Sequence, residues 1–254
     1  MEKKRPVVLI TGGARRLGAA MALDLAKHGF DLAIHYNEGK NEADELVHKL
    51  EASGAKALSF QSDLLETHGK GLLERVTEEM GRPVEILVNN ASLFLDDHIG
   101  ALDMDVWDKH FSIHLKTPAL LADRMFFLLP DNLKGLIVNI IDQRVLKLNP
   151  NFLSYTLSKS SLWTLTKTLA QALAPRIRVN AIGPGPTLKS PRQEEEDFLR
   201  QARSVLLEHG PELSEFGATI RYFWWQTSIT GQMIALDGGQ HLMWQTPDIA
   251  GRIE

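Results

Sequence analysis

Residues 6–29 read PVVLITGGARRLGAAMALDLAKHG. The apolar run Val7–Ile10 suits a short buried strand, and "PVVLITG" (6–12) carries it into a glycine turn. "AAMALDLAKHG" (19–29) then sets apolar residues at helical spacing and stops on Gly29. A strand passing through a glycine turn directly into a helix opens a βαβ unit. A strand apolar on both faces needs cover on both, which is the setting of a parallel sheet.

The alternation continues along the chain. "DLAIHYN" (31–37), "KALSFQSDL" (56–64), "VEILVNNAS" (84–92), "GLIVNIID" (135–142), "RIRVNAIGPG" (176–185) and "MIALDGG" (233–239) read as strands. "NEADELVHKLEASG" (41–54) and a segment near 68–80 read as helices. The pattern predicts an α/β fold, a doubly wound Rossmann-type sandwich with a seven-stranded parallel sheet. No Pro/Gly/Ser-rich linker or repeat divides the 254 residues, so one domain over 1–254 is expected. The stretch 187–216 differs: it is polar and carries Glu194, Glu195, Glu196 and Asp197. It reads either as a solvated helix face or as a mobile substrate lid.

Composition narrows the class. A net charge of −4 offers no basic surface for nucleic acid. With 44% hydrophobic and 24% charged residues the chain resembles a soluble globular protein. No apolar run reaches the ~18 residues of a membrane span. Met1–Pro6 is charged and lacks the apolar region of a secretory signal. The absence of cysteine excludes disulfides, thiolate metal sites and a cysteine nucleophile. A cytoplasmic location, no metal centre and a small-molecule substrate are expected.

The glycine turn suits a pyrophosphate. Gly12 and Gly18 let backbone N–H groups approach it, and the helix N-terminus adds a positive dipole end. The same turn contributes Arg15, Arg16 and Leu17 to a dinucleotide site, although Arg16 stands where such turns usually carry their middle glycine. The cofactor ribose belongs at the C-terminal end of the second strand, at His35, Tyr36 and Asn37. Asp31 has the usual spacing for a ribose-binding acid but opens that strand, at the wrong end. Arg15, Arg16 and Lys40 suit a 2′-phosphate, so NADPH is expected over NADH; Glu38 is the contrary feature. Asp63 and Leu64 end the third strand near the adenine, and Asn90 and Ala91 end the fourth near the nicotinamide ribose. Pro184 and Gly185, in "GPGPT" (183–187), suit the nicotinamide amide.

Tyr155 and Lys159, in "YTLSK", lie four apart and share one helix face. A tyrosine with a pKa of about 10 is a poor proton donor at neutral pH, and a nearby ammonium lowers it. Asp142, at the end of the fifth strand, falls at the same sheet edge. It is either a catalytic group or a carboxylate that caps a turn.

Together "TGGARRLG", "NNAS", "YTLSK", "GPGPT" and "ITGQMIALDGG" (229–239) resemble the short-chain dehydrogenase/reductases over nearly the whole chain. The resemblance implies that Tyr155 is the acid and that Lys159 bonds the nicotinamide ribose and lowers the tyrosine pKa. Two positions depart from the family pattern: Asp142 replaces the usual serine and Arg16 the usual glycine. Both, with "IHYN" (34–37), resemble the pteridine reductase branch, which includes dihydromonapterin reductase. That likeness implies Arg16 reaching the cofactor phosphates and the pterin, Asp142 assisting protonation, Phe94 stacking on the ring, and Ser92 orienting it. The wider family carries an asparagine at the position of His114, holding a water linked to the lysine; the imidazole is expected to hold the same water.

The expected activity is NADPH-dependent reduction of a pterin or dihydropterin. Reduction of another carbonyl, such as an oxoacyl thioester or small ketone, is the second reading. A non-catalytic NADP(H)-binding sensor is the third, opposed by the intact Tyr155 and Lys159. The resemblance also implies a homotetramer packed through the Tyr155 helix and the helix after His98. It further implies a C-terminal tail, "DGGQHLMWQTP" (237–247), reaching a neighbouring site with Trp244 as a lid residue.

Overall fold

The computed structural model describes residues 5–189 and 194–245. Seven strands form one sheet: β1 Val7–Ile10, β2 Asp31–Tyr36, β3 Ala57–Gln61, β4 Ile86–Asn89, β5 Gly135–Ile140, β6 Ile177–Pro184 and β7 Met233–Leu236. Their order is β3-β2-β1-β4-β5-β6-β7, and every pairing is parallel. The sequence reading of the sheet therefore holds. Strand order reverses between β1 and β4, and a crevice opens there at the carboxyl ends of the strands.

Alternating side chains of β1 divide the core. Val8 and Ile10 face Met21, Leu25, Phe216 and Phe223. Val7 and Leu9 face Leu73, Val76, Leu121 and Met125. The first face is covered by helices α1 (Arg16–Lys27), α2 (Lys40–Glu51) and α9 (Leu213–Trp225). Helices α4 (Leu72–Met80), α6 (Thr117–Leu128) and α7 (Leu153–Ala172) cover the second. Gly217 lets α9 lie directly on α1, because a Cβ there would sit 2.5 Å from that of Asp24. Arg221 adds an ion pair to Asp24 at 2.8 Å.

Three boundaries differ from the sequence reading. Helix α1 begins at Arg16, inside the glycine turn rather than after it. The helix read near 68–80 starts late: a short α3 (Leu64–Thr67) precedes it, and α4 begins only after His68, Gly69 and Gly71, which all take positive φ. A side chain at 69 would also have to displace Leu121, whose Cδ2 lies 2.5 Å from the place of a Cβ. The strands also stop short, their last residues turning into loops that carry the site. Asp31 is buried in ion pairs with Arg5, at 3.1 Å, and Arg82, at the end of the sheet remote from the crevice. Helix α5 (Met104–Phe111) runs through a π-helical turn, Ser112–Lys116, into α6, and α8 (Glu195–Arg203) lies between β6 and α9.

Candidate active site

The glycine turn is shaped by close approach. A Cβ on Gly18 would lie 2.6 Å from the Gly12 carbonyl oxygen, and Gly12 itself has φ +59°. Thr11 ties this turn to the end of β4. Its hydroxyl accepts from the N–H groups of Asn90 and Ala91, both at 3.0 Å, while the Asn90 amide donates to the Thr11 and Gly12 carbonyls. The first strand end and the "NNAS" loop are thus one unit. Thr11 was missed by sequence reasoning, its only signal being the residue before the glycines.

His35 braces the turn from β2. Its Nδ1 accepts from the Gly12 N–H at 3.0 Å, so Nε2 carries the proton and donates to the Ser62 carbonyl at 2.9 Å. Burial pushes its pKa down to about 4. Both ring nitrogens of His35 are spent inside the protein, where the side chain braces the cradle.

The two arginines of the turn separate. Arg15 extends to the end of β2, pairing with Glu42 at 2.6 Å and lying across Gly39, where a Cβ would fall 2.1 Å from its Nη2. Arg16 points the other way and donates to the Leu188 and Lys189 carbonyls at 3.4 and 2.9 Å. Its φ of +51° explains why a glycine is usual there, and that strained conformation aims the side chain into the crevice. Lys40 is paired with Asp44. Tyr36 is buried, Asn37 and Glu38 are exposed beside Arg15, and the Asp63 carboxylate caps α3 by accepting from the Leu65 N–H at 2.8 Å. Leu64, also buried, follows in α3.

Arg16, Leu17, Phe94, Asp142, Tyr155, Pro184 and Gly185 line a single cavity of about 730 Å³. At its centre the Tyr155 hydroxyl donates to Asp142 Oδ2 at 2.9 Å. Asp142 Oδ1 accepts from the Arg144 N–H at 2.8 Å, so this carboxylate both caps a turn and holds the tyrosine. Lys159 is buried beneath and donates to the Ile140 carbonyl at 2.9 Å, with its Nζ 5.7 Å from the Tyr155 ring centre. Burial brings its pKa down to about 8, against an opposing pull from Asp142. Burial first, and then Asp142, hold the Tyr155 hydroxyl well above the ordinary tyrosine value. The lowering expected from Lys159 is not seen in the protein alone: desolvation and Asp142 raise the hydroxyl, and the one opposing pull comes from Arg144.

Phe94 stacks on Phe152 at 4.2 Å between ring centres and meets Tyr155 edge-on at 4.7 Å. The Arg144 guanidinium lies 5.5–5.8 Å from all three rings. Phe152 and Arg144 were not legible in sequence, since the rings come from separate segments. Ser92 bonds His114 Nε2 at 2.8 Å, and His114 Nδ1 bonds Ser158 at 2.9 Å. With both nitrogens so engaged, the expected water link from His114 to Lys159 is not built through its ring. From the stretch 187–216, Thr187, Leu188, Phe198, Gln201 and Ser204 line the cavity, while residues 190–193 lie outside the described structure. In the tail, Met243 and Gln245 line it, Trp244 is exposed, and Thr246 and Pro247 lie outside the described residues. Among the described residues no cluster of His, Asp and Glu is arranged to hold a metal ion, and no helix is long and apolar enough to cross a membrane.

Known proteins resemble this chain in sequence and in fold. The chain is 58% identical to FolM alternative dihydrofolate reductase 1 from Brucella canis, solved in complex with NADP, with a TM-score of 0.94 over 97% of this chain and 98% of that one. The protein of the same name from Brucella suis, also with NADP, is 59% identical at a TM-score of 0.94, covering 98% and 100%. The 3-oxoacyl-[acyl-carrier-protein] reductase FabG of Staphylococcus epidermidis is more distant, 28% identical over 92% of this chain and 98% of its own length. The short chain dehydrogenase family model matches residues 6–198. With its glycine turn and its buried Tyr155–Lys159 pair at the edge of a parallel sheet, the chain belongs to the short-chain dehydrogenase family and is an oxidoreductase.

Proposed function

We propose that this protein reduces a pterin or dihydropterin with NADPH. The observation that carries the reading is the Asp142–Tyr155 hydrogen bond at 2.9 Å, set beneath the Phe94 ring in a cavity that Arg16 also lines. A carboxylate against the acid suits protonation of a ring nitrogen; a carbonyl substrate needs only a neutral donor there. The similarity to two FolM alternative dihydrofolate reductases, both with NADP, supports the same reading.

The residues present fit a dinucleotide. The turn at Gly12 and Gly18 is a cradle that a Cβ would fill, and Arg15 over Gly39 offers a guanidinium for a 2′-phosphate. Leu17, Gly18, Asn90, Ala91, Pro184 and Gly185 would hold the remainder, with Asp63 and Leu64 at the adenine end. When bound, NADPH supplies the hydride. Phe94 stacks on the substrate ring, and Arg16 and Ser92 orient it. Tyr155 gives its hydroxyl proton to the ring nitrogen. The ammonium of Lys159 offsets the charge left on the phenolate, and the Tyr155 hydroxyl is reprotonated from solvent. The polar stretch 187–216 acts as the substrate lid of a single-domain enzyme.

Loss of absorbance at 340 nm with NADPH and dihydrobiopterin tests the proposal. Turnover is expected in the wild type and is expected to fall at least 100-fold in Tyr155→Phe and Asp142→Ser. Turnover retained in Asp142→Ser with a simple ketone, but absent with every pterin, would replace this reading with that of a carbonyl reductase. The proposal includes a homotetramer, supported by a surface groove between α7 and the junction of α5 with its π-helical turn, where Phe111, Leu115, Leu157 and Leu165 lie among Ser160, Ser161, Thr164 and Thr168. It also includes a cytoplasmic setting, consistent with a chain that has no cysteine to oxidise.

A further inference from the structure

Phe94 lies in a loop, 92–97, without regular secondary structure. Two imidazoles hold that loop at the residues on either side of it. The Leu93 N–H donates to His114 Nε2 at 3.3 Å, and the Leu95 N–H donates to His110 Nε2 at 3.1 Å. A ring nitrogen that accepts from a backbone N–H carries no proton, so in both rings the proton sits on Nδ1. There His114 meets Ser158 at 2.9 Å and His110 meets Ser154 at 2.6 Å. The histidines are four apart where α5 enters its π-helical turn and the serines four apart on α7, so the rungs stand in register. The imidazoles stack 5.6 Å apart, and the Tyr155 ring meets both edge-on at 5.8 and 5.4 Å. Both histidines are buried.

We infer that His110 and His114 are positioning residues for the substrate cavity: as paired hydrogen-bond acceptors they fix the 92–97 loop onto α7 and so set Phe94 against Phe152 and Tyr155. The inference rests on the reading of Phe94 as the ring-stacking surface. An accepting Nε2 requires a neutral ring, and burial supplies that condition by holding both groups below the ordinary histidine value, opposed at His110 by Asp97. Asp97 acts on the same joint, its carboxylate accepting from the Ser154 N–H at 3.0–3.1 Å. The arrangement acts through Phe94 and, at His114, also through Ser92, whose hydroxyl bonds the same Nε2 at 2.8 Å.

The test substitutes each histidine in two ways. His110→Phe and His114→Phe keep a flat ring and remove the acceptor. His110→Gln and His114→Gln keep an amide oxygen near the Nε2 position. The phenylalanine variants are expected to raise KM for dihydrobiopterin about tenfold, the worth of one buried hydrogen bond, with kcat within about twofold and the NADPH Kd unchanged. The glutamine variants are expected to recover most of the loss. Adding Phe94→Ala to His110→Phe should cost far less than the two changes measured singly, because both act on the same contact. Amide exchange of the 92–97 peptide, followed by mass spectrometry, should quicken in the phenylalanine variants and return towards wild type in the glutamine ones. A loss confined to kcat, full additivity with Phe94→Ala, or unchanged exchange at 92–97 would overturn the inference. If the phenylalanine variants do not fold, His110→Asn and His114→Asn, whose shorter amides reach the serines and not the loop, are read against the glutamine variants. If the wild type reduces no dihydropterin, the functional reading fails while the exchange measurement still judges the clamp.

Discussion

At the scale of single residues, burial moves Lys159 and Tyr155 away from their ordinary titration in opposite directions. Lys159 is 2% exposed with a pKa of about 8 against the ordinary 10.5. The folded protein therefore binds that proton less readily than the unfolded chain. The associated stability is present above pH 10.5, falls as pH drops towards 8, and at neutral pH is a cost of about 3 kcal/mol. Lys159→Met keeps the length of the side chain and removes the buried charge. It is expected to raise stability at pH 7 by about 2 kcal/mol, after loss of the Ile140 hydrogen bond, while abolishing turnover. Urea unfolding of the two proteins checks the sign. Tyr155 is raised in the opposite sense, favouring its protonated form, so the ligand-free protein should show no Tyr155 phenolate at a pH where exposed tyrosines ionise. Asp142→Asn is expected to remove part of that elevation, read by ultraviolet titration against a Tyr155→Phe blank.

At the scale of elements, the turn between β1 and α1 is a joint among three strand ends. His35 binds Gly12 on one side and the end of β3 on the other, so its protonation is coupled to the whole cradle. Its pKa of about 4 lies below the unfolded value of 6.5. Stability from the neutral ring is thus complete above pH 6.5 and is lost as pH falls towards 4, by about 3 kcal/mol in all. Denaturant midpoints at pH 7, 5 and 4 should show this fall, and His35→Gln should flatten it. Gly39, the N-cap of α2, has φ +84° and lies under the Arg15 guanidinium. Gly39→Ala strains the cap by about 1 kcal/mol and displaces a flexible side chain rather than backbone. Its main effect is expected in cofactor choice: NADPH Kd should rise about tenfold while NADH Kd stays nearly constant. Equal loss for both would mean that Arg15 does not read the 2′-phosphate.

At the scale of the whole molecule, the groove beside α7 and the exposed Phe127 leave surface that a single chain does not cover. Light scattering at micromolar concentration is expected to give a tetramer of 28.4 kDa chains. Leu157→Glu, placed in that groove, should reduce the assembly without altering the sheet, as circular dichroism would show. A wild-type monomer would turn the groove into surface of another kind.

Much of this protein follows from local pattern. Apolar runs, helical spacing and glycine stops act over a few residues, so the seven parallel strands and the placing of Gly12, Gly18, Asp142, Tyr155 and Lys159 at one sheet edge were legible from sequence alone. The interruption at 68–71 was missed because left-handed backbone at His68, Gly69 and Gly71 leaves no mark in the apolar spacing, and the close approach of Gly69 to Leu121 joins distant segments. Long-range contacts also decided what each group does. Which nitrogen of His35, His110 or His114 carries the proton follows from partners on other elements. The opposite courses of Arg15 and Arg16 follow from backbone conformation inside one turn. The high pKa of Tyr155 follows from burial beside Asp142, and the aromatic wall joins Phe94 to Phe152. Sequence pattern determines which elements form and which face they bury, because those choices depend on near neighbours. Only the packed fold sets solvation and hydrogen-bond partners, and those two quantities settle the chemistry of a buried side chain.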